Sequence, residues 1–238
     1  MSAYAELVAA TNFSFLRGAS TAQDMVLASL LLGHAGLGVA DRNTLAGVVR
    51  AFAALRDLRD GGAILPPKQR VGSSPGDVRQ PPPAEAAADL AALLRQRAQG
   101  FRLVVGARLA FTDATPDIVA HPRNRDGWAR LCRLLTQGNR RVRKGECHLA
   151  RADLLEDARD LLLIVMPGRD TRALPALLGQ LREAAPDAVW LGATMPRRGD
   201  DRRRLARLTA LAGQAGLPLL ATNDALYADP AQRDLQDV

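Results

Sequence analysis

The chain has 238 residues, is 47% hydrophobic and 24% charged, and carries a net charge of +7 with two cysteines. That length suits one α/β domain or two small ones, and no apolar run reaches the ~18 residues a membrane span needs. Cys132 and Cys147 lack disulfide or zinc-ligand spacing, and the opening MSAYAELVAAT has no basic segment ahead of an apolar core, so a reducing cytoplasm is expected rather than secretion or a membrane.

Apolar runs and helical periodicities alternate along the chain. A strand is predicted at 4–9, then a helix near 21–33, a strand at 36–40 and a helix near 44–59. After a helix near 84–98 come strands at 103–105 and 118–120. A helix near 125–137 precedes a strand at 161–166, and a helix near 171–183 precedes a strand at 188–191. The last pair is a helix near 198–215 and a strand at 218–221. In that helix Leu205, Leu208, Leu211, Ala212 and Ala215 share one face. Such alternation predicts a parallel sheet or barrel, one strand short of eight. Residues 234–238 read as the start of a helix cut in the middle, as in a fragment of a longer protein.

Two stretches look like copies of one unit, HAGLGVAD (34–41) and QAGLPLLATND (214–224). Each reads as a helix stopped by a glycine, followed by a short buried strand ending in aspartate. If both strands run parallel, Asp41 and Asp224 share the C-terminal rim, where α/β proteins place their chemistry. A plainer reading makes Asp41 the cap of the helix at 44–59. One segment breaks the alternation: the Pro/Gly-rich stretch 61–87, read as a disordered or mobile insertion.

Basic residues are almost all arginine, with Lys68 and Lys144 the only lysines. Arg140, Arg141, Arg143 and Lys144 form one cluster, and Arg197, Arg198, Arg202, Arg203 and Arg204 another. Each is either a solvated face or a contact for nucleic-acid phosphates or an acidic partner. Asp200 and Asp201 interrupt the second, which favours the solvated reading there. Phosphate-loop and nucleophile-elbow motifs are absent. Of the histidines His34, His121 and His148, only His121 falls at a strand tip. The sequence therefore offers poor material for a hydrolytic metal centre.

Several ordered motifs resemble the PHP (polymerase and histidinol phosphatase) domain that opens bacterial C-family DNA polymerase α-subunits. They are YAELVAATNFSFLRGA (4–19), GVADRNTLAG (38–47), VGARL (105–109), NRDGW (124–128) with LCRLLT (131–136), and ATNDALY (221–227). Arg42-Asn43, Arg140-Arg141 and KGECHL (144–149) are most similar to the error-prone branch. The resemblance covers residues 1–238 as a single PHP domain, apart from the 61–87 insertion. It implies a distorted TIM-like (β/α)7 barrel. It also implies a parent protein that synthesises DNA across damage with Mg2+, using polymerase carboxylates outside these residues.

Metal-competent members of that family carry a His-x-His pair where this chain has Val8 and Ala10. Asp-His becomes Asp41-Arg42, an acidic ligand becomes Arg108, a strand-opening histidine becomes Asp117, and Asp-x-His becomes Asp224-Ala225-Leu226. The resemblance thus implies a vestigial site of Asp41, Arg42, Arg108, Asp117 and Asp224, with no catalytic residue, no metal and no cofactor in this chain. Arginine cannot ligate a cation and repels one. Carboxylate–guanidinium pairs and apolar side chains are expected to close the pocket. The partners implied are the remainder of the polymerase chain, DNA and other replication or mutagenesis proteins. Two other readings stay open. One is a PHP phosphoesterase or 3′–5′ exonuclease with a reduced site of Asp41, Asp224 and His121. The other is a stand-alone nucleic-acid-binding module.

Overall fold

The computed structural model describes residues 4–62 and 84–236. Most of the 61–87 insertion lies outside the described residues, and its end is already helical from Ala84. In chain order the elements are β1 (Ala5–Ala9), α1 (Ala22–Leu31), β2 (Gly36–Val39), β3 (Asp41–Arg42), α2 (Ala46–Arg59), α3 (Ala84–Gly100), β4 (Arg102–Val104), β5 (Ala107–Leu109) and β6 (Ile118–Pro122). There follow α4 (Arg125–Arg140), α5 (Arg151–Glu156), β7 (Leu161–Val165), α6 (Leu174–Ala184), β8 (Val189–Ala193), α7 (Asp201–Ala215), β9 (Leu219–Ala221) and α8 (Arg233–Gln236). Each expected strand and helix has a counterpart. The short β3, β5 and α5 are additions.

Local chemistry sets several boundaries. Thr21 and Asp24 form a reciprocal capping box at the start of α1. Asn124 caps α4 by accepting the Gly127 N–H at 2.9 Å. Gly216 stops α7 at φ +66° as expected. At the first copy, however, Gly33 (φ +73°) follows α1, while Gly36 opens β2. Asp41 does not cap α2, whose N-cap is Leu45 without a side-chain bond.

The strands form two sheets, ordered β1-β2-β4 and β3-β5-β6-β7-β8-β9. They are not all parallel, and no single sheet closes on itself. β6 runs antiparallel to both β5 and β7. The β5–β6 link holds no helix, and so short a connection cannot make a parallel crossover. Two expected strands are each continued by a second: β2 by β3 across Ala40, and β4 by β5 across Val105 and Gly106. A Cβ on Gly106 would sit 2.3 Å from the His121 ring, so glycine is required at that break. Beyond β9, Ala225 bonds back to β1: its N–H donates to the Val8 carbonyl and its carbonyl accepts from Ala10, both at 2.9 Å.

Alternate residues along the strands enter different cores. Ile118, Ala120, Leu163, Val165 and Leu191 pack outward against the faces of α4, α6 and α7. Leu37 and Val39 pack with Met25, Val26 and Leu30 of α1 and Val48, Ala51 and Leu55 of α2. Val8, Ala40, Val119, Ile164 and Met166 form a third cluster on the opposite strand faces. Strands buried on both faces explain why the sequence shows continuous apolar runs rather than alternation. Among the described residues no helix is long and apolar enough to cross a membrane.

Candidate functional site

The polar residues at the strand ends fall into two corners. In the first, β3 carries Asp41, which is fully buried. Its Oδ1 accepts from the Thr11 N–H and the Ser14 hydroxyl, both at 2.7 Å. Its Oδ2 accepts from the Thr11 hydroxyl at 2.8 Å. Three neutral donors thus satisfy a buried carboxylate, and among the described residues no cation pairs with it. A Cβ on Gly47 would lie 2.0 Å from Asp41 Oδ2, so only glycine lets α2 start this close. Arg42 follows Asp41 in sequence and joins this corner through its backbone. Its N–H donates to Ser14 Oγ at 3.0 Å, while the residue is exposed.

The second corner is charged. Arg108, on β5, is 5% exposed. Its Nε donates to Asp117 Oδ2 at 2.7 Å and its Nη1 to Asp224 Oδ1 at 2.7 Å, with Nη2 3.3 Å from Asp224 Oδ2. Arg17, from the loop after β1, adds bonds from Nη2 to Asp224 Oδ2 at 2.8 Å and Oδ1 at 3.0 Å. Asp117 arrives just ahead of β6, and Asp224 just after β9 at φ +50°, a conformation aspartate tolerates better than most residues. Burial opposes the Arg108 charge, but Asp224 and then Asp117 outweigh it, so the guanidinium stays above its ordinary pKa.

A cavity of about 290 Å³ opens over this corner, lined by Arg108, Asp117, Asp224, Met166, Thr194 and Arg204 among others. The donor set does not fit a catalytic metal. A divalent ion between Asp117 and Asp224 would face the guanidinium that already bridges them, and among the described residues no imidazole lines this cavity. Val8 and Ala10, where the sequence resemblance would place a histidine pair, are buried. Among the described residues no three His, Cys, Asp or Glu side chains converge as a ligand set.

The structure therefore brings Arg108, Asp117 and Asp224 together and leaves Asp41 and Arg42 outside their network. It also removes His121 from the rim. That side chain is 3% exposed within β6, with Nδ1 2.9 Å from the Val105 carbonyl and Nε2 3.0 Å from that of Leu7. Burial pushes its pKa down, against the pull of the two carbonyls. The reduced site of Asp41, Asp224 and His121 is thus not assembled. His34 packs edge-on against Tyr4, ring centroids 5.0 Å apart.

Sequence reasoning missed Glu6, Thr11, Ser14 and Arg17. Glu6 is 2% exposed and ties β1 to the tip of β9. It accepts from the Val8 and Asn223 N–H groups at 2.8 Å, from the Tyr4 hydroxyl at 2.8 Å, and from the Thr222 hydroxyl. Burial, then the adjacent Glu6, raise the Tyr4 pKa well above its ordinary value. A lone Glu in an apolar strand pattern was the available signal, since a buried charge needs partners.

All of the basic cluster, Arg140, Arg141, Arg143 and Lys144, is exposed. Arg141 also pairs with Asp153, at 2.6 and 2.7 Å. Cys132, Arg133, Thr136, Gln137, Arg140 and Arg141 line an open groove of about 690 Å³ along α4. In the second cluster Arg204 donates to the Pro167 carbonyl at 2.9 Å.

No family model matches the chain. It is 44% identical over 237 residues to an error-prone DNA polymerase of Brucella abortus, covering 99% of this chain and 19% of that one. It is likewise 44% identical over 238 residues to error-prone DNA polymerase 1 of Rhizobium meliloti, covering 99% and 18%. The chain thus spans about a fifth of the length of these relatives. Among solved structures, it superposes on a protein of Bifidobacterium adolescentis described as a metal-dependent phosphoesterase, with TM-score 0.50 and 13% identity, covering 97% of this chain and 90% of that one. An amidohydrolase of Chromobacterium violaceum, with bound sulfate and no metal, gives TM-score 0.52 and 13% identity, covering 94% and 88%. At that identity the structures speak to the fold alone.

Proposed function

We propose, from the premise that this chain is homologous along nearly its whole length to part of the error-prone DNA polymerases, that it is the PHP module of such an enzyme. In this reading the two sheets are one distorted seven-strand barrel, with β2–β3 and β4–β5 each a single interrupted strand. The Ala225 bonds to β1 support that closure. The parent works in the cytoplasm, synthesises DNA across damage with Mg2+, and takes part in DNA repair. The module performs no catalysis and braces the polymerase. The single observation behind its silence is Arg108, whose guanidinium bonds both Asp117 and Asp224 where a cation would have to lodge. Arginine cannot give up its charge at any accessible pH, so the block is permanent.

The test uses the full-length protein. Primer extension past a damaged template base should proceed with Mg2+, and Asp224→Asn should leave phosphatase and 3′–5′ exonuclease rates unchanged. Loss of DNA degradation on Asp224→Asn would show a working hydrolase site. Failure to extend a primer would remove the polymerase assignment.

A second reading is favoured by the groove along α4. Its exposed Arg133 and Arg140, with Arg143 and Lys144 nearby, suit a nucleic-acid backbone. DNA affinity that weakens with salt, and weakens again in Arg133→Ala/Arg140→Ala, would support it.

A further inference from the structure

We infer that the loop between β1 and α1, residues 11–18, is a docking surface for the remainder of the polymerase chain. This rests on the proposed function. Phe15 is 84% exposed, Leu16 79% and Phe13 40%. Single exposed apolar residues are ordinary. Three within four positions, on a loop tied down on either side of them, are not.

The loop is held more firmly than an exposed segment needs. Asp41 binds Thr11 and Ser14 from below. The Ser14 carbonyl accepts from Arg17 at 3.0 Å and from Gly18 at 2.9 Å. Arg17 is anchored on Asp224 at 2.8 Å. Between these ties Leu16 is forced to φ +57°, a left-handed conformation that costs a leucine free energy. A buried carboxylate, an ion pair and a strained residue together lift two large apolar side chains into water. Exposing Phe15 and Leu16 to water costs free energy that burial against a partner would recover.

The occupant follows from what lies beside the loop and from the length of the relatives. Ala19 donates its N–H to the Leu226 carbonyl at 2.8 Å, and the Ala228 N–H donates to the Ser20 hydroxyl at 2.7 Å. Ser20 also bonds Gln232, immediately before α8, where Leu235 is 62% exposed. The loop is thus stitched to the segment that leads into α8, and this chain matches only 19% of its Brucella relative. The rest of such a polymerase would follow the segment that Ala19 and Ser20 already hold, a few residues along the chain from Phe15 and Leu16. DNA is the poorer candidate, because the loop's one cation, Arg17, is already spent on Asp224.

Hydrogen exchange on the full-length polymerase tests this. The Phe15 and Leu16 N–H groups donate to no acceptor among the described residues. Docking should nevertheless slow their exchange at least about tenfold below the unstructured-chain rate. The slowing should appear without DNA and at every protein concentration. Phe15→Ser should abolish it while Ala22–Leu31 stays protected. Exchange at the unstructured rate would overturn the inference. So would protection that requires added DNA, or protection that grows with concentration as for a second copy. Primer extension by the same preparation separates the two proposals. Extension with an unprotected loop sinks the docking surface alone, whereas absent extension sinks the polymerase reading.

Discussion

Asp41 and Asp224 end two stretches of similar sequence, yet the protein satisfies them by different means. Asp41 is sealed under the loop after β1 and takes three bonds from neutral donors. Asp224 borders an open cavity, stays 21% exposed at its side chain, and is held by two guanidiniums. Where backbone and hydroxyls can fold over a carboxylate, no counter-charge is needed. Where a cavity keeps them away, arginine takes the place a cation would hold. On the proposed reading, both acids outlived metal binding because each became a fastening of the fold.

Substitutions at each corner can break that comparison. The largest loss is expected for Asp41→Ala, which strands the Thr11 and Ser14 donors in the interior. Urea unfolding should show about 3 kcal/mol of destabilisation. A loss under about 1 kcal/mol would mean water replaces the carboxylate.

Arg108→Met should cost about 2 kcal/mol. Breaking a fully buried pair costs about 3–5 kcal/mol, but Asp117 and Asp224 are partly solvated and recover some of it. An unchanged or raised stability would show that the ion pairs are not fastenings.

The comparison sharpens if pH dependence near neutrality traces to His121 and not to either corner. Its folded pKa lies below the ordinary 6.5. Below that pH the unfolded chain binds more protons, so stability falls as pH drops. The loss between pH 7 and 5.5 should be no more than about 1 kcal/mol, the limit set by the ordinary pKa of the unfolded chain, and His121→Gln should flatten the curve. The smallest effect is expected for exposed Arg42→Ala, within about 0.5 kcal/mol of zero. A larger loss would place the Arg42 side chain in the Asp41 corner after all.

Much of the fold was legible because its strands are buried on both faces and its helices carry clear apolar stripes. β3 and β5 were not, because each is only two or three residues long and charged, β3 with Asp41 and Arg42 and β5 with Arg108. The antiparallel β6 was hidden as well, since strand direction leaves no mark on an apolar run. At the site, the motif order pointed to Arg108, Asp117 and Asp224. It could not show that Asp41 would be served by Thr11 and Ser14, because hydroxyls thirty residues away in sequence carry no signature. Nor could it show that Arg17 crosses from the β1–α1 loop to reach Asp224. His121 read as a strand tip because Pro122 follows it, yet β6 runs on through both.

The claim beneath all of this is that a guanidinium occupies the place of a cation. It is tested most directly by measuring metal content after equilibration with Mn2+ and Zn2+ and removal of the excess. The account predicts well under one ion per chain and a melting temperature indifferent to chelator. One tightly held ion per chain, released in Asp224→Asn, would contradict it.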